Sequence, residues 1–275
     1  MKLLILGGNG MAGHILVDYF RRQGVHSVFY TSRDVTDPNG LLLDVNDSFM
    51  VDRLVEAVHP DVIINAVGVL NNFADEDKIT AYHINGFLPH RLRRVADTIG
   101  ARLIHISTDC VFSGERGAYR EDDVTDGTSA YAITKALGEV QDEGHLTIRT
   151  SIIGPEIRQG GIGLMQWFMS STGEVGGYTR VFWNGVTTLE LAKWVDHYLA
   201  SPVSGLIHLA HPVPVSKHDL LVLFKQTWDK QDVTIVRDDS VVQDRTLVST
   251  REDVKTDLPE YSTMLKELAL WMEQS

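Results

Sequence analysis

The sequence predicts an α/β protein: a doubly wound parallel sheet with a smaller C-terminal α/β lobe. Three observations predict it. Short apolar runs alternate with longer amphipathic segments through the first half. A glycine triplet, Gly7, Gly10 and Gly13, follows the first of those runs. A later apolar run around Ile104 and Ile106 ends in hydroxyl residues, Ser107 and Thr108. Strands that alternate with helices pack as a parallel sheet covered on both faces.

Residues 3–6 read as the first strand and 11–22 as the first helix. A second strand is expected over 27–30 and a short third over 41–43. Residues 47–58 form a helix whose expected apolar face is Phe49, Leu54, Val55 and Val58. A buried strand follows over 62–67, then a long helix over 79–99 that Pro89 kinks or restarts. Another strand covers 103–106 and another helix 129–143. In the second half Gly160, Gly161, Gly163, Gly173, Gly176 and Gly177 mark loops over 158–180. A helix over 189–199, a strand over 206–209 and a helix over 216–228 come next, the last capped by Ser216 with Asp219 three residues on. A strand over 233–236 and a terminal helix over 261–272 flank charged, irregular sequence from 238 to 257.

Composition narrows the function. The 275 residues suit one large domain, or one domain with a small lobe. A formal net charge of −12 argues against a nucleic-acid partner, which needs a basic footprint. It leaves room for a phosphorylated small ligand. The one cysteine, Cys110, excludes an internal disulfide and a Cys-rich zinc site. The 11 histidines form no H-E-x-x-H, and no metal is expected. No stretch approaches the roughly 18 apolar residues of a membrane span. The first apolar run ends at Gly7, too short for a signal-peptide core. The expectation is a cytoplasmic protein with no membrane partner.

Gly7, Gly10 and Gly13 have the spacing G-x-x-G-x-x-G. Such triplets also arise as plain turns. Here the triplet lies between an apolar strand and an amphipathic helix, where glycines let the backbone approach a pyrophosphate and the helix N-terminus supplies free N–H groups. This context points to a Rossmann-type dinucleotide site. An NAD site usually carries an acidic residue at the tip of the second strand, on the ribose 2′-hydroxyl. The strand here ends Tyr30-Thr31-Ser32-Arg33. Ser32 and Arg33 suit a 2′-phosphate, so NADP(H) is expected over NAD(H). Asp34 next door keeps open the reading of Arg33 as a solvated loop residue.

Tyr131 and Lys135 stand four residues apart, on one face of a helix. An ammonium near a phenol favours the phenolate, lowering a pKa that starts near about 10. Such a tyrosine can exchange a proton with a carbonyl oxygen. Thr108, at the carboxyl end of a parallel strand, faces the place where such sheets bind ligands. Each element alone is common by chance. A hydroxyl there also serves as an ordinary cap.

Together these residues resemble the extended short-chain dehydrogenase/reductases, and within them the dTDP-4-dehydrorhamnose reductase family. The carriers are Gly7-Gly8-Asn9-Gly10-Met11-Ala12-Gly13, Asn65-Ala66-Val67-Gly68 and Ile84-Asn85. The most specific is Ser107-Thr108-Asp109-Cys110-Val111-Phe112-Ser113-Gly114, followed by Tyr131, Lys135, Gly138-Glu139 and Arg149-Thr150-Ser151. The resemblance covers residues 1–155 well and implies a dinucleotide-binding Rossmann domain there. Residues 156–275 would form a smaller substrate-binding lobe with some return to the sheet.

It further implies Thr108, Tyr131 and Lys135 as the catalytic set. Asn9, Met11, Asp44, Val45, Asn65, Ala66, Val67 and Asn85 would join the glycines, Ser32, Arg33, Tyr131 and Lys135 around NADP(H). Ser107, Thr108, Asp109, Thr187 and Arg245 would meet a nucleotide-sugar substrate, the arginine at its diphosphate. Arg245 reads equally as an ion-pair partner of Asp244. Departures from the family pattern include Cys110 for a tyrosine, Ala132 for a glycine, and Val69-Leu70-Asn71-Asn72-Phe73 for an acidic run.

The implied activity is reduction of a 4-keto group on a nucleotide-linked deoxysugar. A nucleotide-sugar dehydratase would need a glutamate where Cys110 stands. A 4-epimerase shares the Tyr/Lys chemistry but keeps NAD bound. A non-catalytic NADP-binding regulatory subunit is the third alternative, against which the intact Thr108, Tyr131 and Lys135 weigh. The basic run His90-Arg91-Leu92-Arg93-Arg94 reads as a solvated helical face or, since related enzymes often pair through this helix, as a homodimer contact.

Overall fold

The computed structural model describes residues 1–157, 161–254 and 256–274. Gly160, one of the expected loop glycines, lies outside the described residues. The chain runs β1 (Lys2–Leu6), α1 (Met11–Gln23), β2 (Ser27–Ser32), β3 (Leu41–Leu42), α2 (Ser48–Val58), β4 (Val62–Asn65), α3 (Asn71–Glu76) and α4 (Lys78–Ala81). A π-helical turn (Tyr82–Phe87), α5 (Leu88–Ile99), β5 (Arg102–Thr108), a 3-10 turn (Asp109–Val111) and α6 (Ala130–Leu137) follow. The second half runs β6 (Leu146–Thr150), β7 (Ile152–Ile153), α7 (Leu164–Ser170), β8 (Gly173–Trp183), β9 (Val186–Thr187) and α8 (Thr188–Ala200). It ends with β10 (Gly205–His208), β11 (Val215–Ser216), α9 (Lys217–Thr227), β12 (Val233–Asp244) and α10 (Tyr261–Glu273).

Seven strands form one sheet in the order β10-β6-β5-β4-β1-β2-β3. Every neighbouring pair in it is parallel. Leu3, Leu4, Ile5 and Leu6 are fully buried, which is why β1 reads as a continuous apolar run rather than an alternating one. β10 pairs parallel with β6 at one edge of the sheet. One apolar cluster joins Leu3 and Ile5 of β1 to Leu191 of α8, Phe224 of α9 and Leu268 of α10. A smaller sheet, β11-β8-β12, stands apart. Among the described residues no helix is long and apolar enough to cross a membrane.

The structure departs from the expected elements at several places, each for a local reason. The long helix over 79–99 is broken. Asn85, in the π-helical turn, accepts from Val69 N at 2.8 Å and donates to Val69 O at 2.9 Å, which draws the turn onto the loop after β4. α5 restarts at Leu88 with Pro89 in its first turn, where no N–H is needed. α6 stops at Leu137, not 143, with Gly138 as its C-cap; Gly138 passes against the Asn85 carbonyl, and a Cβ there would lie 1.9 Å from that oxygen. In α2 the buried stripe is Val51 and Val55, while Phe49 is exposed in the first turn beside the Asp47 cap.

The largest departure is the glycine-marked stretch. It contains α7 and the 11-residue strand β8, in which Val175, Gly177, Val181 and Trp183 alternate inward. β12 likewise extends to Asp244 through the region expected to be irregular, pairing parallel with β8 around a bulge between Asp238 and Val242. Its charged residues sit on a largely exposed edge strand, where pairing rather than composition sets the backbone.

Candidate active site

β1 delivers the chain into the glycine loop at Gly7, whose φ of +80° favours glycine. α1 then packs so closely that a Cβ on Gly13 would lie 2.0 Å from the Gly7 carbonyl oxygen. Gly10 precedes α1 and no side chain caps that helix. By contrast Asp47, Ser129, Thr187 and Ser216 cap α2, α6, α8 and α9 with side-chain oxygens. The first-turn N–H groups of α1 are therefore open to an anion at the positive end of the helix. The geometry fits a dinucleotide pyrophosphate.

A cavity of about 580 Å³ lies against this loop, lined among others by Gly7, Gly10, Ser32, Arg33, Val45, Ala66 and Val67. All seven are expected cofactor residues. The remaining ones do not line it. Asn9 donates to Ser32 Oγ at 2.9 Å and to Asp37 Oδ2 at 3.1 Å, bracing the tip of β2. Met11 opens α1 and Gly13 packs on the loop. Asp44 is exposed and accepts from Asn46 N and Nδ2, both at 3.0 Å. Asn65 and Asn85 are fully buried braces. At the tip of β2 the carboxylates are engaged locally: Asp34 by Thr36 N and Oγ1, Asp37 by Tyr30, Asn9, Asn39 and Gly40. Arg33 is exposed on the cavity wall with no ion-pair partner among the described residues.

At the carboxyl end of β5 Thr108 and Tyr131 share a buried corner, with Lys135 one turn further along α6; their exposures are 8%, 9% and 3%. Thr108 Oγ1 accepts from Cys110 N and donates to Asp109 Oδ1, both at 3.1 Å. Tyr131 lies in the first turn of α6, which is capped by Ser129 and held by Asp75 Oδ1 accepting from Ala130 N at 3.1 Å. Lys135 Nζ donates to the Ile106 carbonyl at 2.7 Å and lies 3.4 Å from His105 Nε2.

Burial lowers Lys135 to about 8 against the pull of Glu139. The expected lowering of the Tyr131 phenol by Lys135 is not the balance found. Burial raises the phenol, with Cys110 and Asp109 pushing the same way and the Thr108 hydroxyl opposing. The ammonium is directed at a backbone carbonyl instead. Burial also raises Asp109, against Lys217 and Arg245, and pushes the Cys110 thiol up to about 12.

The other expected substrate residues divide. Ser107 turns away, donating to Glu139 Oε1 at 2.8 Å in the buried Arg149–Glu139 pair. Thr187 caps α8 by accepting from Glu190 N at 3.1 Å. Arg245 reaches the corner, with Nη1 3.6 Å from Cys110 Sγ. The basic run on α5 is largely consumed within the chain: Arg91 and Arg94 pair with Asp52, and Arg93 with Asp97. Among the described residues no cluster of His, Cys, Asp and Glu is arranged to hold a metal ion.

Sequence reasoning singles out neither Glu156 nor Lys217, and reads His105 only as a structural histidine on a strand. His105 links Asn65, whose Nδ2 donates to its Nδ1 at 3.1 Å, to Lys135; alternation along β5 places it beside the site but says nothing of its partners. Glu156 lines the cavity and accepts from Gly163 N at 2.7 Å. Lys217, at the start of α9, acts on Asp109 and Cys110 from 107–108 positions further along the chain, with no spacing signal.

The chain is similar to proteins already described. A dTDP-4-dehydrorhamnose reductase of Mycobacterium tuberculosis is 33% identical over 146 residues, covering 50% of this chain and 44% of that protein. Over that match the chain spans less than half the length of the relative. The probable low-salt glycan biosynthesis reductase Agl14 of Haloferax volcanii is 30% identical over 241 residues, covering 80% of this chain and 77% of that one. The crystal structure of a dTDP-4-dehydrorhamnose reductase from Bacillus anthracis, in complex with NADP, superposes with a TM-score of 0.83 at 17% identity, covering 98% of this chain and 99% of that one. It shows the same fold. The family described as RmlD substrate binding domain matches residues 1–265, and the chain belongs to that family.

Proposed function

We propose that the protein is an NADP(H)-dependent reductase acting on a 4-keto group of a nucleotide-linked deoxysugar. The observation that supports this reading is that Thr108, Tyr131 and Lys135 are all buried at the carboxyl end of β5 and the start of α6, in a chain whose glycine loop opens onto a cavity. When bound, the nicotinamide supplies a hydride. Tyr131 gives its phenolic proton to the substrate oxygen as alkoxide charge develops there. Burial supports this direction of chemistry, because a raised phenol stays protonated at neutral pH and an alkoxide is more basic than a phenolate. Thr108 orients the carbonyl by a hydrogen bond. Lys135, positioned by Ile106 and His105, holds the nicotinamide ribose.

The 2′-phosphate preference rests on Ser32 and Arg33 lining the cavity while Asp34 and Asp37 spend their charge on local donors. The test is a screen of NADPH and NADH oxidation against a panel of nucleotide-linked 4-keto-6-deoxy sugars. Turnover of one panel member with NADPH preferred is the expected result. A protein that binds NADPH yet turns over none of the panel would be an NADP-binding subunit rather than a reductase.

A further inference from the structure

His105 is fully buried on β5, between Asn65 of β4 and Lys135 of α6. A neighbour fixes the orientation of the Asn65 amide, whose Oδ1 accepts from Val67 N at 3.2 Å. The Nδ2 end therefore meets the ring, 3.1 Å from His105 Nδ1. An amide NH2 group only donates, so Nδ1 offers its lone pair. The ring is also held neutral. Burial lowers its proton affinity well below the ordinary range, Lys135 and His90 act the same way, and the Asn65 main chain opposes them least of the four. In a neutral imidazole whose Nδ1 accepts, the proton sits on Nε2. Nε2 lies 3.4 Å from Lys135 Nζ, which donates to the Ile106 carbonyl at 2.7 Å.

This contact distinguishes the two forms of Lys135. An ammonium has three donors and no acceptor, so it sets donor against donor. The neutral amine accepts from Nε2–H and still donates to Ile106. Glu139, one turn further along α6, favours the ammonium, but its carboxylate is taken up by Arg149 and Ser107. Tyr131, one turn back, is itself raised and stays protonated.

We propose that His105 is a positioning residue for Lys135: its tautomer, set by Asn65, presents an Nε2–H donor that favours the neutral amine. Asn65, His105 and Lys135 form one hydrogen-bonded chain across β4, β5 and α6 that ends on the Ile106 carbonyl. The lone pair and one hydrogen of the amine are committed, which leaves a single N–H for a hydroxyl of the nicotinamide ribose. That consequence rests on the reductase reading; the tautomer does not.

Two spectroscopic measurements on the purified protein test the proposal. Nitrogen-15 spectra of histidine-labelled protein should show the His105 proton on Nε2 throughout the neutral range, and a proton on Nδ1 overturns the assignment. In protein carrying carbon-13 at lysine Cε, the Lys135 signal is identified by its loss in Lys135→Arg. It should titrate at higher pH in His105→Phe, with proton affinity up roughly tenfold. Asn65→Leu, which frees the tautomer, should move it the same way by less, and it serves as the test if the phenylalanine variant does not fold. An unmoved Lys135 titration in a folded variant, with only a lower urea midpoint, makes His105 a packing residue and overturns the proposal. With a substrate identified, the limb of the kcat/KM pH profile that follows Lys135 should shift in the same direction. A protein that gives both spectroscopic results but turns over no nucleotide-linked keto sugar upholds the tautomer and removes the reductase reading.

Discussion

The glycine-loop end of the molecule offers mainly backbone and an open cavity, whereas the corner of Thr108, Tyr131 and Lys135 consists of buried side chains with displaced proton affinities. The first end is a cavity of about 580 Å³ over an uncapped helix and a glycine loop. The second is packed: Tyr131 and Lys135 are nearly inaccessible, Lys135 is lowered and Tyr131 raised. The contrast fits the tasks proposed for the two regions. A pyrophosphate needs close approach and fixed dipoles, which glycines and a helix terminus supply without titrating. Proton transfer needs a group whose affinity can be set, and burial is the strongest lever on it.

The sharpest way to separate the two ends is Tyr131→Phe. Turnover should fall about 10²–10⁴-fold while NADPH affinity, measured by titration, stays near that of the unmutated protein. Unimpaired turnover would move the proton donor to another group. The floor of the corner is next. Arg149 donates to Glu139 at 2.7 and 2.6 Å with both side chains buried. Arg149→Met leaves a buried carboxylate unpaired and should cost about 3–5 kcal/mol in urea unfolding. A cost below about 1 kcal/mol would mean that the pair is solvated rather than part of a dry floor.

Lys135 tests burial itself. Its folded value of about 8 lies below the ordinary 10.5, so between those pH values the unfolded chain binds more protons than the folded one. Stability then rises with pH across that window, and below it the cost of burying the charge is fully present. Lys135→Met should therefore stabilise the protein at pH 7, by up to about 3 kcal/mol, with the gain shrinking as pH approaches the upper end of the window. A gain that ignores pH would contradict the assignment. The smallest effect belongs to the open end. Arg33→Ala should cost NADPH about 1.5–3 kcal/mol of binding and leave NADH nearly untouched. Equal losses for both would show that Arg33 does not read the 2′-phosphate.

The first half of the fold was legible because its signals are local. A buried parallel strand must be apolar throughout, as in 3–6, and it is the placing of the glycine triplet between that strand and an amphipathic helix that makes the loop readable. The second half was not. In β8 the inward alternation of Val175, Val181 and Trp183 is interrupted by glycines that ordinarily punctuate loops, and its partner β12 is a charged edge strand. Both form because they pair with each other. Gly7 and Gly10, singled out by spacing, line the cavity, whereas Asn85, implied by the resemblance, is a brace on Val69 outside its lining.

By itself the sequence determined the parallel sheet, the glycine loop and the one-turn step from Tyr131 to Lys135, because each is set by residues close together in the chain. Tertiary structure alone decided the electrostatics of the corner. Lys135 turns to the Ile106 carbonyl, His105 comes between Asn65 and Lys135, and Lys217 and Arg245 arrive from the second half to face Asp109. Charge interactions and burial depend on distance in space, and no spacing along the chain encodes which distant residues the packing will bring within reach.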